Sequence, residues 1–444
     1  MTPVPQAQGE EPLARAFRDH YRRVVTRLTR EFGFHLTELV EDAVQAAMLA
    51  ALRAWPRSGT PDHVEAWLTQ VARHRLLDEL RRSERRNVSL EEAWHADDSS
   101  GDDECDASGG ALPAEPSSAD SQACMAGEIA DDELRMLFVC ADEAIPLPSQ
   151  LVLALKILGG FSTREIALRL MTSEDNVQKR LSRGRDRLRQ LGPALEPPSL
   201  QALQGRRGAV LRIVYLVFNE GYSSAVPDQL IRRELCDEAV RLARVMAAHP
   251  VCAAPEVDAL LALMLLHSAR FDARLGPGGA LLLLQAQDRE RWDRAVIAEG
   301  LQWLARSARG EHFSRYHAEA AVAAAHCAAP CYAQTDWAEI VALYQMLERI
   351  EPSPLYVLNR AIALAEWQGP EAGLAVLHAL QPPGWLARYY LWDATLGELE
   401  RRAGRFDAAT VHLQRALAQA PHPAECELIQ RRLAACAKGD TSGV

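Results

Sequence analysis

Apolar residues recur at helical spacing along the first 86 residues and predict three helices. The central helix would bury one stripe of side chains: Val40, Val44, Ala47, Met48, Ala51, Leu52 and Trp55. Its outer face would hold Glu38, Glu41, Asp42 and Gln45, and Pro56 with Gly59 would end it. A helix over about 11–31 precedes it. A third helix begins at Pro61, with inward residues Val64, Trp67, Leu68, Val71, Leu77 and Leu80. We therefore predict a small helical domain over residues 10–86.

A helix-turn-helix pattern lies within residues 135–192. Ser162 and Glu165 are spaced as a capping box, and Ser173 would cap the next helix. The inward residues would be Ile166, Ala167, Leu170, Val177, Leu181 and Leu188. Met171 occupies the turn position where such motifs often have glycine, so we expect a turn without a left-handed residue. The exposed face of the second helix would present Asn176, Lys179, Arg180, Arg183 and Arg187.

The remaining chain has almost entirely helical patterning, which predicts an extension domain over residues 200–330 and repeats over residues 331–437. One repeat contains Leu396, Gly397, Phe406, Ala409, Leu413, Ala416 and Pro421. A matching series begins 69 residues earlier: Trp337, Ile340, Tyr344, Leu347 and Pro352, with Gly373-Leu374-Ala375 in the register between. This spacing is typical of tetratricopeptide (TPR) helix pairs. Such pairs stack into a surface that usually binds a peptide or a protein.

The net charge of −11 conceals an uneven distribution. Residues 87–134 contain fourteen acidic residues and no lysine or arginine, whereas residues 1–86 and 135–192 have net charges of +2 and +4. The acidic segment has few large apolar residues, so we predict a disordered linker. A second role as an electrostatic mimic of DNA stays open. The basic clusters at 81–86 and 179–189 can hold phosphates.

Composition argues against a disulfide scaffold, a metal site and a membrane protein. The nine cysteines contain no C-x-x-C pair, and apolar runs such as residues 259–266 are too short to span a bilayer. The polar first residues lack the apolar core of a signal peptide. We expect reduced thiols, a cytoplasmic location and no cofactor.

Candidate catalytic residues lie in two short motifs of the extension and near residue 315: His267, Asp288, Arg289, Trp292, Asp293, His312 and His317. His312 and His317 are five residues apart, which does not place them side by side on a helix as a metal pair. Lone histidines and Asp-Arg pairs in helical domains are more often structural. We therefore predict that the protein is not an enzyme.

Two blocks of sequence together resemble a bacterial extracytoplasmic-function sigma factor of the RNA polymerase sigma-70 family. Residues 41–56 and 61–82 resemble sigma region 2, and residues 147–189 resemble region 4. Residues 216–224, 232–246 and 287–300 resemble the subgroup with a long TPR-like C-terminal extension. In that subgroup, the fused extension is thought to set activity.

The resemblance implies partners and roles for particular residues. Asp42 and Gln45 would meet the clamp helices of the polymerase β′ subunit, and region 4 would lie near the β flap. A DNA-binding set in region 2 would recognise and help to open the minus-ten element: Trp67, Arg73, His74, Arg81 and Arg82. Residues 176–187 would enter the major groove at the minus-35 element.

A one-component helix-turn-helix regulator with a TPR sensor domain is the alternative. It would explain the helix-turn-helix and the repeats but not residues 41–82, and it would bind promoter DNA without polymerase. An enzyme built on the extension would require a deep polar pocket near residues 287–293.

Overall fold

The computed structural model describes residues 10–95, 129–157, 159–191, 199–224, 231–276, 282–421 and 423–441. Within these ranges, side chains are described except for those of residues 10–19, 84–95 and 191. The chain divides into two compact units. The first comprises Met1–Gly160 with Lys179–Leu200, and the second comprises Phe161–Gln178 with Gln201–Val444. The predicted block over residues 135–192 is thus shared between the two units.

Three helices begin the first unit: α1 (Glu10–Phe32), α2 (Thr37–Ser58) and α3 (Val64–His95). Helix α2 runs past Pro56, which we had expected to end it. A proline in the last turn removes one backbone donor and leaves the rest of the ladder intact. Gly59 ends the helix with a φ of 80°, a conformation that glycine adopts without strain.

The core of these helices is apolar and closely packed. Its fully buried side chains include Val24, Val25, Leu28, Val40, Val44 and Leu68. Trp55 and Trp67 meet edge to face at 5.6 Å between ring centroids. Leu52 was wrongly placed in the buried stripe and is 43% exposed, because it lies about 100° around the helix from buried Ala51.

Helices occupy both ends of the segment predicted as a linker. Helix α3 continues to His95, and α4 (Asp132–Cys140) begins before residue 134. The Asp131 side chain caps α4 by accepting from the backbone N–H of Leu134 at 2.8 Å, and Ile129 and Leu134 are buried. The linker prediction over 87–134 was therefore too long at each end, and residues 96–128 lie outside the described residues.

Three further helices follow: α5 (Leu147–Ile157), α6 (Thr163–Arg169) and α7 (Glu174–Leu191). They form where the capping residues and apolar stripes predict them. Helix α6 and the start of α7 belong to the second unit, and α7 belongs to the first unit from Lys179 onward.

The extension begins with α8 (Leu200–Tyr222), α9 (Arg233–Ala248), α10 (Pro255–Ser268), α11 (Arg294–Ser307) and α12 (Arg315–Ala328). Helix α10 is apolar around most of its circumference, and each residue from Val257 to Leu266 is buried. A helix with this pattern lies inside a helical domain, with its neighbours packed around it.

Six more helices complete the chain: α13 (Trp337–Ile350), α14 (Pro354–Gln368), α15 (Pro370–Ala379), α16 (Tyr390–Arg402), α17 (Phe406–Gln419) and α18 (Pro423–Ala437). Two tight hairpins, α14–α15 and α16–α17, turn at Gly369 and Gly404, which have φ values of 95° and 77°. Gly397 permits a close crossing, because a Cβ there would lie 2.7 Å from Leu413. Helix pairs thus occur where the repeat pattern predicted them.

The all-α prediction is confirmed. The described residues form eighteen α-helices, and no β structure occurs among them beyond an isolated bridge at Leu275. Within the same residues, no helix has the length and apolarity needed to cross a bilayer.

Candidate nucleic-acid interface

The helix-turn-helix is defined by its caps. The backbone N–H of Glu165 donates to Ser162 Oγ at 3.2 Å, and that of Ser162 donates to Glu165 Oε2 at 2.7 Å. The predicted capping box is therefore confirmed. At the next helix, the Asn176 N–H donates to Ser173 Oγ at 3.3 Å, as a cap requires.

The turn itself contradicts the sequence prediction. Met171 adopts a φ of 50°, so the left-handed conformation is present without glycine. The backbone N–H of Thr172 donates to the Ala167 carbonyl at 2.9 Å, which satisfies an end carbonyl of α6. About half of the Met171 surface is exposed.

The predicted DNA face of α7 lies opposite the buried residues Val177, Leu181 and Leu188. Lys179 and Arg183 are exposed, and neither forms a hydrogen bond or ion pair within the described part of the chain. Arg180 and Arg187 are half-buried, and Arg187 donates weakly to Gln190 at 3.4 Å. The Asn176 amide is engaged internally, since it donates to Thr172 Oγ1 at 2.9 Å.

Two further arginines of α7 contact α2 instead, which the residue pattern did not predict. Arg185 bonds Glu41 and also Glu38 (3.2 Å), and Arg189 bonds Glu38 at 2.9 Å. Glu41 was wrongly assigned to the outer face of α2 and is only 2% exposed. Burial raises the pKa of this carboxyl, and Arg185 opposes that rise.

The cations at the end of α3 differ in availability. Arg73 donates to Glu31 at 2.7 Å, which ties it to α1. Arg81 and Arg82 are highly exposed; Arg81 lies 3.9 Å from Asp78 and Arg82 lies 3.5 Å from Glu79.

His74 and Arg81 are exposed and seven residues apart, so they share a face of α3. Trp67 is half-buried against Trp55. The structure thus groups His74 and Arg81 on one surface and uses Trp67 largely for packing.

The exposed face of α2 contains Asp42 and Gln45, as predicted. Leu49 and Leu52 continue this face at spacings of four and three residues, with exposures of 54% and 43%. We call these four residues the α2 face. The two leucines are three residues apart on one helix, so they form a small apolar patch beside Asp42 and Gln45 that a partner could cover. The sequence analysis did not predict that either leucine is exposed.

Helix α6 is held by residues of the extension. Arg169 forms an ion pair with buried Glu220 and donates to the carbonyl oxygens of Asn219 (3.2 Å) and Ser223. Arg232 bonds Glu165 at 3.3 Å and lies 5.4 Å from the centre of the Phe161 ring. These contacts join the first helix of the helix-turn-helix to α8 and to the start of α9.

Most of the catalytic candidates have structural roles. Asp288 and Asp293 cap helical turns, and His317 completes a capping box with Ser314. Arg289 donates to the carbonyls of His326 and Ala329, at 2.6 and 2.5 Å, and lies over Trp292. No cluster suited to a metal ion occurs among the described residues.

Comparison with known proteins identifies the families that parts of this chain match. Residues 16–86 match sigma-70 region 2, residues 143–188 match sigma-70 region 4, and residues 206–308 match a family of unknown function (DUF6596). An uncharacterized protein of Rhizobium meliloti (strain 1021), R00370, is 37% identical over 401 residues, which cover 90% of each chain. No solved structure gives a significant match.

A helical chain with regions 2 and 4 in this order directs promoter-specific transcription by RNA polymerase. The protein belongs to the sigma-70 family, as a sigma factor of the extracytoplasmic-function type with a C-terminal extension. Factors of this family are non-catalytic DNA-binding initiation factors, which agrees with the prediction that the chain is not an enzyme.

Proposed function

We propose that this sigma factor recognises the minus-ten element through α3 and the minus-35 element through α7, and that its fused extension sets its activity. The proposal rests mainly on a difference among the cations of α7: some are exposed and others are paired with carboxylates of α2. Lys179 and Arg183 are exposed and unpaired within the described residues, whereas Arg185 and Arg189 bind Glu38 and Glu41. A helix with one cationic face left open suits the major groove and its flanking phosphates.

Region 2 contributes His74, Arg81 and Arg82 to the promoter interface. Their exposure supports phosphate contacts on a strand that is being opened. Arg73 is a weaker candidate because Glu31 already neutralises it.

Core polymerase is the proposed partner of the α2 face. Asp42 offers charge to partner arginines of the β′ clamp helices, and Leu49 with Leu52 offers an apolar centre. The β flap would contact the region 4 domain. The few exposed cations on α3 and α7 provide limited affinity for DNA, so specific promoter binding would require polymerase.

The extension is proposed to hold region 4. Support comes from Arg169 and Arg232, which link α6 to α8 and α9 through ion pairs with Glu220 and Glu165. The hairpins α14–α15 and α16–α17 remain the proposed TPR-like surface for a peptide or protein ligand.

Run-off transcription with purified core polymerase tests the assignment of the α7 face. We expect Arg183→Ala to reduce transcription from the promoter. Loss of a base contact would cost about 1–3 kcal/mol and relax specificity at one position, whereas loss of a phosphate contact would weaken all sequences alike. The matched control is Arg189→Ala, an arginine of the same helix that points to Glu38.

Equal loss from both variants would show that the recognition face is wrongly assigned. Tight and specific DNA binding by the isolated chain in physiological salt would instead indicate a one-component regulator.

A further inference from the structure

A cavity of about 560 Å³, partly open to solvent, lies in the extension and is lined mainly by residues of α8, α10, α12 and α14. Its wall includes Asn219, Arg270, Gln287, Arg315, Glu319 and Asn359. This volume is in the range of cavities that hold small molecules. None of the surfaces described for polymerase or DNA uses it.

Arg270 is the unusual group of the cavity wall. It is only 9% exposed, yet it forms no ion pair with a carboxylate in the described part of the chain. Its Nη2 donates to the Tyr222 hydroxyl at 2.6 Å and lies 3.1 Å from His267 Nδ1, while its Nε has no hydrogen-bond partner. A buried cation without a counter-charge is costly, which suggests that an anion belongs beside it.

Another part of the wall contains one cation, Arg315, and two carboxylates, Glu319 and Glu351. Arg315 pairs with Glu351 at 3.0 Å and approaches Glu319 at 3.5 Å. Glu319 also accepts from the hydroxyls of Tyr215 and Tyr356, at 2.5 and 2.7 Å. Both carboxylates pair with Arg315, so Arg270 is the cation of the lining that has no carboxylate partner among the described residues.

Neighbouring polar atoms also lack partners. Gln287 Oε1 and His326 Nδ1 are buried in the same wall and accept or donate no hydrogen bond. Burial together with Arg270 and Arg289 lowers the pKa of His326 to about 4, and burial with Arg270 and Arg274 lowers that of His267. Both imidazoles are therefore neutral near pH 7, and the local field favours an anion.

We propose that this cavity binds a small organic molecule whose carboxylate pairs with Arg270 and whose hydroxyl or amide groups meet the polar side chains around it. The planar guanidinium matches a carboxylate in two parallel hydrogen bonds. Glu319 and Glu351 line the same cavity and would repel a dianion more strongly than a monoanion, which favours a carboxylate over a phosphate. The cavity binds this ligand without a chemical step, and binding requires nothing of the promoter-recognising helices.

Saturation-transfer difference NMR on the full-length protein tests the proposal with acetate and gluconate as probes, at neutral pH and fixed ionic strength. Sorbitol, which resembles gluconate but has no charge, is the control ligand. We expect saturation of both carboxylates and not of sorbitol. Arg270→Gln should raise the Kd obtained from a saturation-transfer titration by about tenfold, equivalent to ~1.4 kcal/mol of binding. Arg309→Gln, an exposed arginine of the same unit, should leave it unchanged.

Thermal unfolding tests whether the Arg270→Gln variant is folded. Without ligand, Arg270→Gln should melt at the wild-type temperature or above it, because the variant removes an uncompensated buried charge. The stabilisation by carboxylate should be lost in this variant. Gln287→Glu, which adds a negative charge to the wall at nearly constant volume, should abolish binding as well.

Three results would overturn the proposal: no saturation of either carboxylate, equal saturation in wild type and Arg270→Gln, or retained binding in Gln287→Glu. Arg270-dependent binding of inorganic phosphate alone, followed by phosphorus line broadening, would show that the ligand class is wrong.

Discussion

Glu41 illustrates how one buried carboxylate can organise its surroundings. The Tyr21 hydroxyl donates to it at 3.5 Å, and Arg185 from α7 neutralises it. Because Glu41 is buried and has its pKa raised by burial, its charged form depends on that arginine. The pair therefore fastens the end of α7 to α2.

Arg185→Ala should destabilise the first unit by roughly 1–3 kcal/mol, because it leaves a buried carboxylate without its partner. Urea unfolding measures this change as a lower midpoint. The control is Arg189→Ala, whose exposed pair with Glu38 should be worth less than about 0.5 kcal/mol. Similar midpoints for the two variants would mean that the Arg185 pair contributes no more than a surface ion pair.

His326 gives a dependence of stability on pH. Its folded pKa of about 4 lies below the ordinary value of 6.5, so between these pH values the unfolded chain binds a proton that the native protein does not. The free energy of unfolding therefore falls as pH decreases from about 6.5 to about 4.

His326→Asn should reduce the acid-induced loss by up to about 3 kcal/mol, measured by thermal or urea unfolding across this range. The exposed His312→Asn serves as the control. An unchanged acid profile in His326→Asn would contradict the expected burial of the imidazole.

The sequence predicted exposed cations on α7 because helical spacing separates them from Val177 and Leu181. It did not predict that Arg185 and Arg189 bind α2, since that contact joins residues about 150 positions apart. Arg270 lies three residues after His267, which the sequence analysis considered as a catalytic candidate. The sequence does not show whether such an arginine is buried or exposed. These assignments require tertiary structure.

At the scale of helices, glycines determine how closely the hairpins of the extension pack. A Cβ at Gly397 would lie 2.7 Å from Leu413 Cγ and 3.1 Å from the Ala409 carbonyl oxygen. Helix α17 would have to move away from α16 to accommodate it. The glycine that the repeat pattern identified thus has a packing role.

Gly397→Ala should destabilise the second unit by about 1–3 kcal/mol, because overpacking shifts one helix of the hairpin. Gly384→Ala is the control, since a Cβ there meets no atom within 4 Å. Differential scanning calorimetry compares the two. A melting temperature for Gly397→Ala equal to that of Gly384→Ala would show that the helices separate at no cost.

Periodicity and caps predicted the helices of the chain well, including the capping box at Ser162. They failed at the ends of the acidic segment, where α3 extends to His95 and α4 begins at Asp132. Composition favours disorder there, but Ile129 and Leu134 are buried by tertiary contacts that composition does not reveal. Met171 likewise adopts a left-handed φ of 50°, which the sequence analysis did not expect of a residue other than glycine.

At the scale of the molecule, the extension and the helix-turn-helix cannot be separated cleanly. Residues 161–178 belong to the same unit as residues 201–444, with Arg169 bound to Glu220. Removing the extension would leave this arginine without its partner and would uncover the buried residues of the same contact.

A chain of residues 1–199 should therefore give strongly reduced run-off transcription, because α6 loses its support and small helical domains are marginal alone. Hydrogen exchange would show faster exchange in α6. Glu220→Gln in the full-length chain is a milder version of the same loss and should reduce transcription less. Equal activity of the truncated and full-length proteins would eliminate a regulatory role for the extension under those conditions.

Helix α8 contributes residues both to the Arg270 cavity and to the contact with Arg169, within little more than two helical turns. Tyr215 and Asn219 line the Arg270 cavity, while Glu220 and the carbonyls of Asn219 and Ser223 hold Arg169. Suppose that a ligand in the cavity changes the equilibrium constant for the contact between Arg169 and α8. Thermodynamic reciprocity then requires that this contact change the affinity of the cavity for the ligand by the same factor. If promoter binding also alters this contact, the sigma factor would bind its small ligand with one equilibrium constant at a promoter and with another when it is free of DNA.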